Sequence, residues 1–310
     1  MKKKALKKKS RIKRKTKIFL FANIIAFIAI FIYCSNDNIN GGPDPTSGKI
    51  SIASFNIQVF GTSKLSKPEV MEKIVAIINN FDAVAIQEVR SAENTILPNL
   101  VNMLGSGWDY KISERLGRTS SKEQYALVYR KESIVVDSVY QVPDPYDKLH
   151  REPFVCYCRS GSFDFSIINI HTDPDEIPEE LNALDDVLLS ELKKEKDAIL
   201  MGDLNAAPAE FDELGRIAGV FYVIPNGKTT NVRGTQTYDN IVFIGNELRE
   251  YLRGDVYDFK SIFGLTQEQA LDISDHLPVY AVFRTDMADD DGALASRRIA
   301  DNIVPASIHK

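Results

Sequence analysis

Four short apolar runs in this chain each stop on a polar residue of one chemical kind. Ile52-Ala53-Ser54-Phe55 runs into Asn56, Ala83-Val84-Ala85-Ile86 into Gln87-Glu88, Ile167-Ile168-Asn169-Ile170 into His171, and Ala198-Ile199-Leu200-Met201 into Gly202-Asp203-Leu204-Asn205. Tyr238-Asp239-Asn240 and Ser274-Asp275-His276 are two further segments of the same character. Apolar runs of this length rich in Val, Ile and Phe read as strands. Strands that each carry an Asn, Asp, Glu or His to a sheet edge build one site from distant parts of the chain. Taken singly, each has a bland reading: Asp203 and Asn205 as turn residues, Glu88 as a solvated charge, His171 as a satisfied structural histidine. Six at the same kind of location are hard to explain as turn chemistry. Carboxylates and amides suit Mg²⁺, Mn²⁺ or Ca²⁺, and two histidines with carboxylate partners suit proton transfer.

Around these segments the pattern alternates. Strands are expected at 50–55, 83–87, 125–129, 134–139, 163–170, 198–201, 238–244 and 279–283. Pro68 opens a helix with Val70, Ile74, Ile77 and Ile78 on one face. Pro178 opens another, with Glu179 and Glu180 in its first turn, Leu181, Leu184, Leu188 and Leu192 on one face, and Lys193, Lys194 and Lys196 near its end. The expectation is a mixed α/β domain over residues 49–285. The three cysteines of the whole chain, Cys34, Cys156 and Cys158, exclude a disulfide-stapled scaffold and a four-thiolate zinc site. Cys156 and Cys158 alternate within a strand-like run and are expected to be buried thiols.

Residues 1–34 read differently. Eleven Lys and Arg precede a 17-residue apolar run, Ile18 to Cys34, broken by Asn23 alone. A nucleic-acid-binding arm would not explain that run, so the segment is expected to be a signal or membrane anchor with its basic flank cytoplasmic. Cys34 followed by Ser35 also suggests a lipidated cysteine, although Tyr33 is bulky where that motif takes a small residue. Residues 35–48 are expected to form a flexible tether, and 286–310 a poorly ordered tail. The rest should lie outside the cytoplasm, secreted or anchored. From residue 49 on, 27 basic residues face 41 acidic ones, a net of −14. Such a surface repels a polyanion unless divalent cations or a local basic groove intervene.

Phe55-Asn56-Ile57-Gln58-Val59-Phe60-Gly61, Ile86-Gln87-Glu88-Val89-Arg90, Met201-Gly202-Asp203-Leu204-Asn205 and Ser274-Asp275-His276-Leu277-Pro278 resemble the signature segments of the endonuclease/exonuclease/phosphatase superfamily. Three further stretches, 113–125, 151–153 and 259–265, resemble its deoxyribonuclease I group. The resemblance runs from Lys49 to Arg284. It implies a four-layer α/β/β/α sandwich of two mainly antiparallel sheets, and a divalent-metal-dependent endonuclease cutting double-stranded DNA.

Carried over residue by residue, the resemblance implies a metal held by Glu88, Asn56, Asp203 and Asp275, with Mg²⁺ as the ion and Mn²⁺ able to substitute. Asn205 would hold the scissile phosphate. His276, oriented by Asp239, would be the general base, and His171, paired with Glu123, the general acid. Which imidazole plays which part stays open at the level of sequence. Arg90, Arg118, Arg151 and Ser121 fall in segments that contact DNA, Ser121 standing where the group has an aromatic residue. Lys228 replaces an acidic ligand in the group's calcium loop, which argues against structural calcium. DNA is the expected partner, with the membrane reached through residues 1–34; no obligate protein partner is implied, and a monomer is expected. Two other readings are a superfamily phosphatase acting on phosphoinositides or other lipid phosphates, and a non-catalytic surface binding module.

Overall fold

The computed structural model describes residues 48–288. The expected anchor at 1–34, all but the last residue of the 35–48 tether, and the tail beyond 288 lie outside the described residues. Among those described, no helix is long and apolar enough to cross a membrane.

In chain order the elements are β1 (Lys49–Phe60), α1 (Thr62–Leu65), α2 (Pro68–Ile78), β2 (Ala83–Val89), α3 (Ile96–Leu104), β3 (Trp108–Ile112), β4 (Gln124–Arg130), β5 (Val135–Gln141), β6 (Phe154–Ser160) and β7 (Phe163–His171). They continue through α4 (Ile177–Glu191), β8 (Ala198–Asp203), α5 (Asp212–Arg216), β9 (Val220–Tyr222), β10 (Asp239–Ile244), β11 (Tyr251–Val256), α6 (Phe259–Ile262), α7 (Gln267–Ile273) and β12 (Val279–Arg284). Two six-stranded sheets result, ordered β11-β12-β1-β2-β4-β3 and β5-β6-β7-β8-β10-β9. Each has one parallel pair at its centre, β1 with β2 and β7 with β8, and is otherwise antiparallel.

The two-residue period of a strand sorts the core into layers. Ile50 and Ile52 of β1 meet Phe163, Phe165 and Ile167 of β7 between the sheets, where Cys156 and Cys158 also lie buried and unpaired as thiols. Ala53, Phe55 and Ile57 face the other way, onto Met71, Ile74 and Ile78 of α2 and Leu97 of α3. On the far side Ile168 and Ile170 pack under Leu181, Leu184 and Leu188 of α4. Each such leucine contributes roughly 1.5–3 kcal/mol. These are the four layers, helices outside and sheets within, that the resemblance implies.

Both expected helices form. Pro68 and Pro178 stand in the first turns, where a missing N–H costs nothing. The second ends at Glu191, so Lys193, Lys194 and Lys196 lie beyond it rather than in its last turn. All eight expected strands are present with ends shifted by up to five residues. Between the sheets, under their shared upper edge, Gln87 Nε2 donates to Asn169 Oδ1 (2.6 Å) and Asn169 Nδ2 to the carbonyls of Ile86 and Ala126 (both 3.2 Å). Buried amides joined in this way fix one sheet against the other.

Candidate active site

The strand ends are irregular where the polar residues emerge. The β1–β2 ladder slips between Asn56 and Phe60, and three residues with side chains take the left-handed region there: Gln58 (φ 33°), Val59 (φ 49°) and Glu88 (φ 60°). For a β-branched valine this is a true outlier. Its return is local: Gln58 N–H donates to Asn56 Oδ1 (2.9 Å) and Val59 N–H to Glu88 Oε2 (2.8 Å). Across the seam, β7 and β8 run in register with His171 beside Asp203. Gly202 allows it, since a Cβ there would stand 1.8 Å from the Ile170 carbonyl oxygen.

Asp203, 1 % exposed, is the centre of the arrangement. Its Oδ2 accepts from Asn56 Nδ2 (2.9 Å) and lies 3.5 Å from His171 Nε2 and 3.4 Å from His276 Nε2. Each ring is held from behind. Glu123 Oε1 is 2.7 Å from His171 Nδ1, and Asp239 Oδ2 is 2.9 Å from His276 Nδ1. The two imidazoles therefore turn their Nε2 atoms toward one carboxylate, each with a second carboxylate fixing its orientation. Thr230 donates through Oγ1 to Asp239 Oδ2 (2.8 Å), and Ser274 Oγ, donating to the Asn56 carbonyl (2.7 Å), accepts from His276 N–H (3.0 Å).

Burial works against the charged form of both rings, and their carboxylates outweigh it. His171 is raised by Glu123 and Asp203; Asp239 and Asp203 hold His276 well above the ordinary histidine value. Burial likewise pushes Asp203 and Glu123 up, yet the imidazoles, with Asn56 for the one and Arg151 for the other, leave both below the usual carboxylate range. Asp239, buried deeper in carboxylate company, is raised by desolvation. In this charge balance the carboxylates around the two imidazoles favour their protonated forms.

The expected metal residues are brought together in part. Asn56 Nδ2 joins Asp203 to Glu88 Oε1 (3.2 Å), and Asp275 Oδ1 is 3.8 Å from His276 Nε2. The tightest donor group among the described residues, Asp203, Asp239 and His276 with ligand atoms within 4.8 Å of one another, shares only Asp203 with that set. Asp239 Oδ1 and Asp275 Oδ1 are buried with no hydrogen-bond partner. The orphaned Asp275 Oδ1, with the carboxylates of Glu88 and Asp203 that Asn56 joins, supplies hard-oxygen donors of the kind a divalent cation takes. Asn56 has its Oδ1 occupied by Gln58 and acts as a bridge between carboxylates.

The remaining residues divide. Asn205, at φ 48°, donates its side chain to the Thr172 carbonyl (2.9 Å) and its N–H to Asp203 Oδ1 (3.0 Å). Arg90 Nη2 lies 3.2 Å from both Glu88 and Glu123, and its Nη1 donates to Ser121 Oγ (2.9 Å), which sets the pair at the mouth of the site. Arg118 stands apart, paired with Asp147 and Glu176. Arg151 is 5 % exposed, its Nε donating to the His171 carbonyl (3.0 Å) and facing Glu123 at 3.2 Å. Its Nη1 faces Asp173 at 3.6 Å.

Sequence reasoning missed Thr230, Ser274, Tyr238 and Lys64. The Tyr238 ring lies 5.9 Å from that of His276. Lys64 donates to three carbonyls beneath the site: Ile57 (2.8 Å), Gln58 (2.6 Å) and Ile273 (2.7 Å). Nothing in the pattern marks a lysine in a one-turn helix for this.

Comparison with known proteins agrees with the geometry. The Endonuclease/Exonuclease/phosphatase family matches residues 53–214. The chain is 36 % identical over 245 residues to mouse (Mus musculus) deoxyribonuclease-1-like 1, covering 74 % of this chain and 78 % of that protein. It is 32 % identical over 283 residues to mouse deoxyribonuclease gamma, covering 82 % and 88 %. Among solved structures, an endonuclease/exonuclease/phosphatase family protein from Bacteroides thetaiotaomicron has the same fold, with TM-score 0.54 at 17 % identity over 77 % of this chain and 98 % of that one.

Proposed function

The chain belongs to the Endonuclease/Exonuclease/phosphatase family, and we propose that it is a divalent-metal-dependent endonuclease that hydrolyses phosphodiester bonds of double-stranded DNA outside the cytoplasm. The observation that carries the reading is the convergence of two carboxylate-backed imidazoles, through Nε2, on Asp203. Hydrolysis of a phosphodiester needs one group to take a proton from water and another to give one to the leaving oxygen. A cation held by Asp203 would offset the charge that the His276 proton otherwise offsets, leaving His276, steadied by Asp239, neutral to take the first part; His171, steadied by Glu123, keeps its proton for the second. Asn205 holds the phosphate. A divalent cation on Glu88, Asp203 and Asp275, with Asn56 bridging the first two, would offset the charge that grows on the phosphate oxygens. Oxygen donors favour Mg²⁺, with Mn²⁺ as a substitute. No structural calcium is invoked: Lys228 is paired with Asp255, and Asn231 closes its own loop by accepting from the N–H groups of Thr235 (2.8 Å) and Gln236 (3.1 Å).

Arg90 and Ser121 at the mouth meet the duplex, with Arg118 farther out. Arg151 serves the site by holding Glu123 and the His171 carbonyl. Every group used comes from one chain, so a monomer suffices. The basic flank and 17-residue apolar run ahead of the domain support secretion or anchoring at the outer side of the cytoplasmic membrane. Supercoiled plasmid with Mg²⁺, run beside release of phosphate from a phosphoinositide, tests the reading. Nicking that stops in excess EDTA, with no phosphate released, supports it. An inert plasmid and a hydrolysed lipid would overturn it.

A further inference from the structure

We infer that Lys64 is a positioning residue for the reaction: its ammonium group sets the left-handed Gln58–Val59 turn that aims Asn56 and Glu88, and ties that turn to the segment carrying Asp275 and His276. An ammonium has three N–H donors and no acceptor. All three are spent on main-chain oxygens, those of Ile57 (2.8 Å), Gln58 (2.6 Å) and Ile273 (2.7 Å). Ile57 and Gln58 directly follow Asn56, and Ile273 closes α7 just before Ser274-Asp275-His276.

The peptide units it grips are the ones whose other ends matter. The Ile57 carbonyl belongs to the same peptide as the Gln58 N–H that holds Asn56 Oδ1 (2.9 Å). The Gln58 carbonyl belongs to that of the Val59 N–H that holds Glu88 Oε2 (2.8 Å). A planar peptide points its C=O and N–H in opposite directions, so a cation on one side fixes the donor on the other. It also offsets a backbone conformation that glutamine and valine do not favour, φ 33° and 49°. The third bond reaches across to α7, where Ser274 Oγ completes the stitch to the Asn56 carbonyl (2.7 Å). Lys64 thus joins the two parts of the site that come from opposite ends of the chain. Burial pulls its pKa down to about 8 against the attraction of Glu88 and Asp275, as befits a half-buried cation whose partners are dipoles.

This inference rests on the nuclease reading and deepens it, so the test has one arm that needs no activity. In the metal-free full chain, hydrogen exchange at the amides of Gln58 and Val59 is slow in wild type. It becomes fast in Lys64→Met, while amides of β7 and β8 are unchanged. In the second arm, Lys64→Met with Mg²⁺ loses about 10- to 100-fold in kcat on plasmid DNA, the range for groups that orient a ligating residue, with KM within about twofold. Lys64→Cys behaves alike until alkylated with 2-bromoethylamine, which rebuilds an ammonium of lysine length and restores most of the rate. Iodoacetamide does not, and wild type carried through both reagents controls for other thiols. Should Lys64→Met fail to fold, the same comparison is read on Lys64→Cys before and after each reagent. Unchanged exchange at Gln58 and Val59, or full turnover without an ammonium at position 64, overturns the inference. Inert wild type with the exchange result intact overturns the nuclease reading and leaves the positioning role standing.

Discussion

Asp203 Oδ2 has Nε2 of both histidines and Nδ2 of Asn56 around it, so the site can be dismantled one donor at a time. Replacing a general acid or base loses roughly 10²–10⁴-fold in rate. His276→Asn and His171→Asn should each fall by that much in plasmid nicking while keeping the wild-type fold. Their double variant should lose far less than the product of the two, because both serve one step. A single variant with wild-type turnover would remove that histidine from the mechanism. The same groups govern stability when metal is withheld. The folded pKa values of His171 and His276 stand above the unfolded value, about 6.5. Their stabilisation is therefore complete below about pH 6.5 and lost as pH rises through the raised folded values. At the acid end the sign reverses. Glu123 and Asp203 are lowered, so their share is present above the ordinary carboxylate range and lost as pH falls through the lowered values. In EDTA, Tm should decline from pH 6.5 upward, and His276→Asn should flatten that decline; a flat wild-type profile would show that the imidazoles are not held charged. Strand-end residues such as Glu88, His171 and Asp203 were legible in the sequence because an apolar run stopping on a polar residue leaves a visible edge. Lys64 and Thr230 were not, since what they hold is main chain or a partner distant in sequence, and neither leaves a local signature. The burial of Arg151 was equally hidden, for a charge is silent about whether its partner is solvent or Glu123.

At the scale of elements, α4 is fastened to its sheet by more than leucines. Glu191, 2 % exposed, accepts from the hydroxyls of Tyr140 on β5 and Tyr157 on β6 (2.9 Å for the latter), and from Lys194 Nζ (2.6 Å). Replacing it by leucine removes the acceptor that both phenolic hydroxyls share, at a cost of about 1–3 kcal/mol. Glu191→Leu should lower Tm by several degrees, at roughly 2–4 °C per kcal/mol for a domain of this size, with Mg²⁺-supported kcat unchanged. A large loss of turnover at unchanged Tm would mean that this clamp communicates with the site. Elements with a clear period were the ones read in advance: α2 and α4 from apolar faces behind proline, and eight strands from their apolar runs. Those missed are short or mixed. β9 has three residues, β11 carries Arg253, Gly254 and Asp255, and β3 alternates Trp108, Tyr110 and Ile112 with charged positions on a sheet edge. α7 is announced only by a reciprocal cap, Thr266 Oγ1 accepting from Gln269 N–H (3.2 Å) and Gln269 Oε1 from Thr266 N–H (2.9 Å). Seven residues are too few for a period to show through.

Across the whole molecule, charge opposes the proposed substrate. The net of −14 from residue 49 onward meets three arginines that are each already paired with carboxylates. Two free cations in the places of Arg90 and Arg118 would give a log–log salt slope near −1.8, at about −0.9 per contact. Duplex binding by the inactive His276→Asn variant, followed by fluorescence anisotropy over NaCl concentration, should show a shallower slope. A steeper one would reveal a basic surface elsewhere. The two sheets bear on this molecule in another way. Their strand orders match term by term when β11-β12-β1-β2-β4-β3 is laid on β5-β6-β7-β8-β10-β9. In the matching central pairs the first sheet carries Asn56 on β1 and Glu88 on β2, and the second His171 on β7 and Asp203 on β8. Arg151 precedes β6 as His276 precedes β12, each with a proline two residues on and the strand beginning next. Glu123, just before β4, steadies His171 of the other sheet, and Asp239 of β10 steadies His276, just before β12, so the site is built across both sheets. β11 and β12 of the first sheet follow the whole of the second in sequence, while β1 to β4 precede it. Lys49 pairs with Arg284, and Thr285 N–H reaches the Gly48 carbonyl (2.9 Å). Joining residue 285 to 48 through a short linker and cutting the exposed turn between Glu132 and Ser133 would give a gene that reads one sheet and then the other. Such a rearranged chain should fold and nick plasmid like the original, and its failure to do so would mean that the present order of synthesis matters to how the halves find each other.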